Sequence, residues 1–179
     1  MATSSATELW DVLAREAVEE SPLWREALLP DDGQQRRAVF SGLCNPAFAL
    51  GVETVYEGYL LHYGRSRLFA PADEDTALLL GDYLYAHGLV RIAATGSTSA
   101  VRDLAELISL CAQARSNGSD GDAVVWAATC AALGGDALDG PRTALRELGD
   151  VTALERVARD EAGDEAVDAA FAAHRLLAQ

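Results

Sequence analysis

Residues 77–94 read ALLLGDYLYAHGLVRIAA, and this stretch decides the fold class. As a helix it is apolar nearly all round, which is typical of a helix buried in the middle of a bundle. The acidic residues in the preceding segment, residues 71–75, suit the positive end of a helix dipole, so we expect the helix to begin there. The sequence therefore predicts one central helix with other helices packed around it.

The rest of the chain also carries helical spacing, and no segment shows the sustained alternation of a β-strand. Alanine and leucine dominate, and the prolines fall between the periodic segments. The other predicted helices cover roughly residues 7–20, 22–29, 34–43, 47–64, 101–114, 122–133, 141–148, 151–158 and 164–177. We therefore predict an all-α helical bundle. Its 179 residues form one domain, with N-terminal helices over 1–30, a core over 31–115 and C-terminal helices over 122–179.

The charge of the chain argues against several partners. The net charge is −14, and all 14 basic residues are arginine. An acidic surface repels nucleic acid and anionic lipid, so we expect no nucleic-acid partner. The first residues lack the basic start and apolar run of a signal peptide, and no apolar run reaches the ~20 residues that span a bilayer. We expect a cytoplasmic protein without a membrane span.

No pattern in the sequence predicts a catalytic residue, a metal site or a cofactor. The three cysteines have no metal-type spacing and suit small buried side chains, and the three histidines lack a nearby nucleophile pattern. These residues are Cys44, Cys111, Cys130, His62, His87 and His174. Glu53 and Glu57 stand one helical turn apart, a spacing also used in di-metal bundles, but no Glu-x-x-His pair accompanies them.

Two segments in the middle of the chain resemble the trans-prenyl diphosphate synthases. Residues 52–64 read VETVYEGYLLHYG and are similar to a family helix that reads like IELIHTASLIHDD, with Glu53, Leu60 and His62 at matching positions. Residues 80–86 read LGDYLYA and resemble the family's AGDYLLA helix. The resemblance covers about residues 47–114. It implies a truncated isoprenoid-synthase fold, with residues 31–115 as the prenyl-synthase-like core.

The departures from the family pattern fall on its magnesium site. The first acidic motif of the family binds magnesium, which in turn binds the substrate diphosphate. Its two leading aspartates correspond to Tyr63 and Gly64, and its last corresponds to Arg67. None of these is a carboxylate, and the second acidic motif has no counterpart in the sequence. The resemblance therefore implies a scaffold that does not catalyse prenyl transfer alone.

Other charged residues have both a functional and a structural interpretation. Arg65 and Arg67 are a candidate phosphate-binding pair, since two guanidinium groups could bind one phosphate; a pair that complements the negative end of a helix is the alternative. The acidic residues 73–75 could hold a cation, but capping of the following helix accounts for them. Asp82 lies among apolar residues, so we expect it to have a buried partner.

Two classes of function follow from these observations. The first is a noncatalytic prenyl-synthase-like subunit that binds and stabilises or tunes a catalytic prenyl diphosphate synthase in isoprenoid biosynthesis. The second is a small helical lipid-binding protein or enzyme that uses its apolar interior for an isoprenoid or another lipid. Its support is a set of aromatic residues, which core packing explains equally well. A helical bundle unrelated to isoprenoids is a further alternative. The aromatic residues are Phe48, Tyr56, Tyr59, Tyr83 and Tyr85.

The resemblance also implies how the first kind of protein would associate. In the family, the GDYL helix and the helix after it contribute to a subunit interface. We therefore expect a dimer with a related catalytic chain or with a second copy of this chain. The candidate interface residues are Leu80, Tyr83, Leu84, Leu104, Leu107 and Ile108.

Overall fold

The computed structural model describes residues 2–30, 36–116, 118 and 121–178, which contain nine α-helices and no β-strand. The helices are α1 (Ala2–Glu20), α2 (Pro22–Ala27), α3 (Ala49–Tyr63), α4 (Glu74–Ala94), α5 (Thr98–Ser116), α6 (Asp122–Ala131), α7 (Asp139–Leu148), α8 (Thr152–Ala162) and α9 (Asp164–Leu177). Two 3-10 turns, Ser41–Leu43 and Pro46–Phe48, precede α3. The prediction of an all-α fold is confirmed. Within these residues, no helix combines the length and the apolar character needed to cross a membrane.

The helix at the centre of the bundle is α3. Residues 51–60 are all buried, so every side of this helix is covered. The sequence assigned the central position to residues 77–94, and for the single chain that prediction is wrong. Only one side of α4 is buried, at Leu80, Gly81, Leu84, Gly88 and Ile92. Both helices are apolar nearly all round, so their patterns do not show which one the rest of the chain surrounds.

Four glycines allow α3 and α4 to approach each other closely. Gly51 faces Gly88 and Gly58 faces Gly81, so the two helices run antiparallel. A methyl group on Gly58 would lie 2.8 Å from the carbonyl oxygen of Gly81, and one on Gly88 would lie 3.0 Å from that of Gly51. Any side chain at these contacts would push the two backbones apart. The α3–α4 pair therefore depends on residues without a Cβ atom.

Two hydrophobic clusters lie on opposite sides of this pair. The larger one is centred on Tyr56 and Trp126 and joins α3 to α5, α6, α8 and α9. The smaller one joins α1 and α2 to α4 through Trp10, Trp24 and Leu84. An isolated bridge between residues 28 and 69 ties the end of α2 to the loop after α3. The N-terminal helices are thus packed on α4 and on that loop.

The segment before α3 is not the helix that the sequence predicted over residues 34–43. Residues 34 and 35 lie outside the described residues, residues 36–40 are not helical, and only Ser41–Leu43 forms a 3-10 turn. The reason is the buried carboxylate of Glu53, whose Oε1 accepts hydrogen bonds from the backbone N–H groups of Val39 (3.1 Å) and Ser41 (3.2 Å). These donors are satisfied without helical hydrogen bonds.

The predicted capping of α4 is confirmed. Asp73 accepts a hydrogen bond from the backbone N–H of Thr76 at 2.7 Å, and this bond lowers the pKa of the Asp73 carboxyl. Glu74 and Asp75 lie in the first turn, where the helix dipole favours negative charge. The acidic run is therefore explained by the start of the helix.

Candidate functional site

Tyr63, Gly64 and Arg67 are the positions that the resemblance aligns with magnesium ligands, and the first two lie where the end of α3 meets the end of α9. Tyr63 is the last residue of α3, and its ring centroid lies 5.3 Å from that of Tyr59. Gly64 ends the helix and lies against the backbone carbonyl oxygen of Leu177, with no room for a side chain. The next residue, Arg65, donates its backbone N–H to the same carbonyl at 2.7 Å. The backbone contacts of Gly64 and Arg65 with Leu177 hold the ends of α3 and α9 together.

Arg67 lies in a buried ionic cluster with Glu53 and Glu57. Its Nη2 lies 2.7 Å from Oε2 of Glu53, and its Nε donates to Oε1 of Glu57 at 2.5 Å. The guanidinium also stacks over the rings of Trp10 at 4.5 Å and Tyr56 at 4.9 Å. Burial disfavours its charge, but the two carboxylates outweigh burial and raise the pKa of Arg67 above its usual value. The arginine therefore stays protonated inside the protein.

The same cluster fixes two loops on the central helix. Glu57 accepts hydrogen bonds from the hydroxyl of Ser66 at 2.5 Å and from the backbone N–H of Arg67 at 3.2 Å. Arg67 in turn donates from Nη1 to the backbone carbonyl of Arg37 at 2.5 Å. Glu53 and Glu57 thus bind an arginine and backbone N–H groups, as a structural rather than a di-metal pair. The part of the chain that the structure describes contains no group of three or more histidine, cysteine or carboxylate side chains that could hold a metal ion.

The prediction that Arg65 and Arg67 together bind a phosphate is therefore corrected. The side chain of Arg67 is buried and forms ion pairs with Glu53 and Glu57, so it does not join Arg65 in binding a phosphate. Arg65 is exposed at the protein surface, two residues away. The two arginines are separated by only one residue in the sequence, but in the loop the side chain of Arg67 is buried and Arg65 is exposed.

The candidate interface residues divide into two groups. Leu80, Leu84, Leu104 and Leu107 are buried in the two hydrophobic clusters of this chain, so they present no surface to a partner. Tyr83 and Ile108 are half-buried. An association through α4 and α5 stays a prediction, but the residues that would carry it are the exposed ones. Exposed large apolar residues of α4 are Leu78, Leu79 and Val90.

The GDYL segment has a packing role in this chain. A methyl group on Gly81 would lie 2.6 Å from Nε2 of His62, so only glycine allows the imidazole to lie against α4. Asp82 itself is exposed, but it has a largely buried partner, because its carboxylate lies 3.2 Å from the same nitrogen of His62 without hydrogen-bond alignment. Burial lowers the pKa of His62, although Asp82 opposes this effect. Tyr83 packs against Trp24, with ring centroids 5.8 Å apart.

A second polar cluster, which sequence reasoning missed, joins α3, α5, α6 and α9. The hydroxyl of Tyr56 lies 2.8 Å from Nδ1 of His174, whose Nε2 lies 3.7 Å from Asp122. The hydroxyl of Tyr59 donates to Asp122, and Arg115 lies 2.6 Å from the same carboxylate. Burial opposes ionisation of Asp122, but His174, Tyr59 and Arg115 outweigh burial and hold the pKa of Asp122 below its usual range. Asp122 is therefore ionised.

This second cluster lies beside an open groove of about 410 Å³, which Phe171 and Arg175 also line. Burial raises the pKa of both Tyr56 and Tyr59, so both phenols are protonated. Their hydroxyl groups already have partners inside the protein. The arrangement therefore suits a structural network better than a site that exchanges protons with a substrate. A sequence signal was available, because His174 lies on the same side of its helix as Val167 and Phe171.

The cysteines and the remaining buried ion pair have no chemistry of their own. Burial raises the pKa of all three thiols, to about 12 for Cys44, so the described cysteines are protonated and unreactive. Arg142 is buried, and its Nη1 donates to Asp103 at 2.8 Å, which ties α7 to α5. Asp103 also accepts a hydrogen bond from the backbone N–H of Gly134 at 2.9 Å. These groups stabilise the fold.

Comparison of the chain with protein-family models, with curated proteins and with solved structures finds no match. The resemblance to the prenyl synthases therefore rests on the quoted segments alone.

Proposed function

We propose that this protein is a noncatalytic, prenyl-synthase-like subunit that binds a catalytic prenyl diphosphate synthase and stabilises or tunes it. The proposal combines the resemblance over residues 47–114 with the lack of carboxylates at the magnesium positions. On this proposal the protein acts in isoprenoid biosynthesis, with no catalytic residue and no cofactor in this chain.

The observation that carries the proposal is the outer face of α4. Leu79, Ala86, Val90 and Ala93 follow one another at helical spacing on this face, and all four are exposed. Leu79 is 58% exposed and Val90 is 64% exposed. Single exposed leucines are ordinary, but a row of apolar residues along one helix is typical of an interaction surface. A helix of a partner chain that packs on α4 would cover this row.

The magnesium positions support a noncatalytic role. Arg67 is neutralised by Glu53 and Glu57, and Gly64 lies against the end of α9. Transfer of a prenyl group requires carboxylate oxygens that bind the metal and, through it, the diphosphate. We therefore expect no magnesium-dependent turnover of allylic and homoallylic diphosphates by the isolated chain.

The charge of the chain favours a different partner over a second copy. A chain with net charge −14 repels itself. In a two-fold dimer each copy uses the same surface, so association through α4 would bring both copies of Asp82 into one interface. Asp82 is the one acidic residue within the row from Leu79 to Ala93. A partner with an arginine or lysine opposite Asp82 avoids this repulsion.

The alternative in which a lipid binds among the aromatic residues of the interior has less support. The aromatic residues on which it depended include Tyr56 and Tyr59, which are fully buried and stack with centroids 5.7 Å apart. Trp126 packs against both rings. Core packing accounts for these residues.

The decisive experiment is affinity purification of the tagged full chain from its native host. The expected result is one co-purifying chain whose sequence carries both Asp-rich motifs. Leu79→Glu and Val90→Glu should each remove that chain, because each places a charge in the interface without disturbing the core. Leu148→Glu is the matched control, since Leu148 is 77% exposed on α7. A monomer by sedimentation that retains no synthase, or equal retention by all the variants, would reject the proposal.

A further inference from the structure

A surface groove of about 340 Å³ lies where the loop after α3 meets the end of α9. Its walls come from three parts of the chain, and its volume is at the lower end of the range for small-molecule sites, about 300–1,000 Å³. The lining residues are Arg37, Val39, residues 65–67, Ala173, Leu176 and Leu177. None of its lining residues belongs to α4 or is Tyr56, His174 or Asp122.

Part of the groove lining is cationic. Arg37 and Arg65 are both exposed, and neither forms an ion pair with the described residues. Arg67 lies beneath them, where Glu53 and Glu57 surround its charge. In a chain of net charge −14, two arginines at one groove, with no ion pair to the described part of the chain, make a local site for an anion.

The rest of the lining is largely apolar. It includes Val39, Ala173, Leu176 and Leu177, and Leu176 is 70% exposed. A phosphate or carboxylate alone would leave these side chains in contact with water. An alkyl chain would cover them, which is favourable in proportion to the apolar area removed from water.

The backbone holds both arginines in position. The N–H of Arg65 donates to the carbonyl oxygen of Leu177 at 2.7 Å, and the carbonyl oxygen of Arg37 accepts from Nη1 of Arg67 at 2.5 Å. The loops that carry the two guanidinium groups are thus tied to α9 and to the buried ionic cluster. A ligand that binds between them does not have to order these loops, which lowers the cost of binding.

We propose that this groove binds an anionic amphiphile, an alkyl chain that ends in a carboxylate or a phosphate. The anionic head lies between Arg37 and Arg65, which suit planar or bidentate recognition of these groups. The alkyl chain lies against Leu176 and Leu177. The proposal does not depend on a partner at α4, and the two sites are tested separately.

Isothermal titration calorimetry of the full chain tests the proposal. The probes are octyl phosphate and octanoate below their micelle concentrations, with 1-octanol as the probe without charge and inorganic phosphate as the probe without an alkyl chain. Binding of either anionic amphiphile, with both control probes much weaker, is the expected result. No binding of octyl phosphate or octanoate would overturn the proposal. Equal binding of octanol would do so as well, as would equal binding of inorganic phosphate.

Substitutions locate the binding site. Arg37→Ala and Arg65→Ala should each weaken binding about tenfold, the effect of losing one charge-assisted contact. Leu176→Ser should weaken the binding of both amphiphiles and leave the weak binding of inorganic phosphate unchanged. Arg156→Ala and Leu148→Ser are matched controls on α8 and α7, at exposed positions away from the groove. Equal loss of affinity in the controls would refute the assignment, and circular dichroism checks that each variant keeps its helices.

Discussion

Replacement of Arg67 by methionine tests the central role of the buried ionic cluster. The substitution keeps an apolar chain against Trp10 but removes the only cation that contacts Glu53 and Glu57 within the described residues. Removal of one partner from a buried ion pair costs about 3–5 kcal/mol, because the remaining charge stays buried without compensation. Native proteins of this size are stable by only about 5–15 kcal/mol. We therefore expect Arg67→Met to remove about a fifth or more of the free energy of unfolding.

Urea denaturation followed by circular dichroism measures this effect. With a slope of about 2 kcal/mol per molar urea, a loss of about 4 kcal/mol lowers the midpoint by about 2 M. Arg65→Met is the matched control, since Arg65 is exposed and such substitutions change stability by about 0.5 kcal/mol or less. Adding Glu53→Gln and Glu57→Gln to Arg67→Met should recover part of the loss. A midpoint for Arg67→Met within 0.3 M of the wild type, on the order of 0.5 kcal/mol, would refute the reasoning.

Three further outcomes follow from the packing and the charges. Gly58→Ala should lower stability by about 1–3 kcal/mol because its methyl group meets the carbonyl oxygen of Gly81, whereas Gly140→Ala, with open space around it, should raise the melting temperature slightly. Leu84→Arg should unfold the chain because it buries a charge, whereas Leu79→Arg should leave the circular dichroism spectrum unchanged. The pKa of Asp122 is lowered from 3.8 in the folded chain, so its contribution is present above that pH and is lost on further acidification. The difference in unfolding free energy between the wild type and Asp122→Asn should therefore shrink between pH 5 and pH 2; a constant difference in acid denaturation curves would contradict this assignment.

The GDYL segment shows how a short motif acquires a physical explanation only in the fold. The sequence connects it to a family by resemblance. In the structure, Gly81 allows α3 and α4 to approach and lies against the ring of His62, while Leu84 fills the smaller hydrophobic cluster. A helical pair with these contacts would need Gly81 and Leu84 whether or not it binds magnesium. A GDYL segment without the acidic motif is therefore consistent with the noncatalytic role that we propose.

The candidate sites were less accessible to sequence reasoning than the fold class. Arg65 and Arg67 differ by two positions, yet one is exposed and the other is buried beside Glu53 and Glu57. Likewise, Arg37 comes to lie in the same groove as Arg65 because Glu53 and Arg67 tie the segment before α3 to the loop after it. No local pattern marks these partners. They are brought together by contacts between segments that are distant in the chain.

The sequence by itself determined the helical character of the chain, because helical spacing and capping depend on residues three or four positions apart. The acidic cap at Asp73 is an example, since its partner Thr76 lies within the same turn. Only the tertiary structure decided that α3 rather than α4 is surrounded, and that Tyr56 meets His174 across more than half of the chain. The physical reason is that burial depends on which surfaces the other helices cover. Two apolar helices of similar pattern therefore take different places according to the glycine contacts between them and the helices that pack around α3.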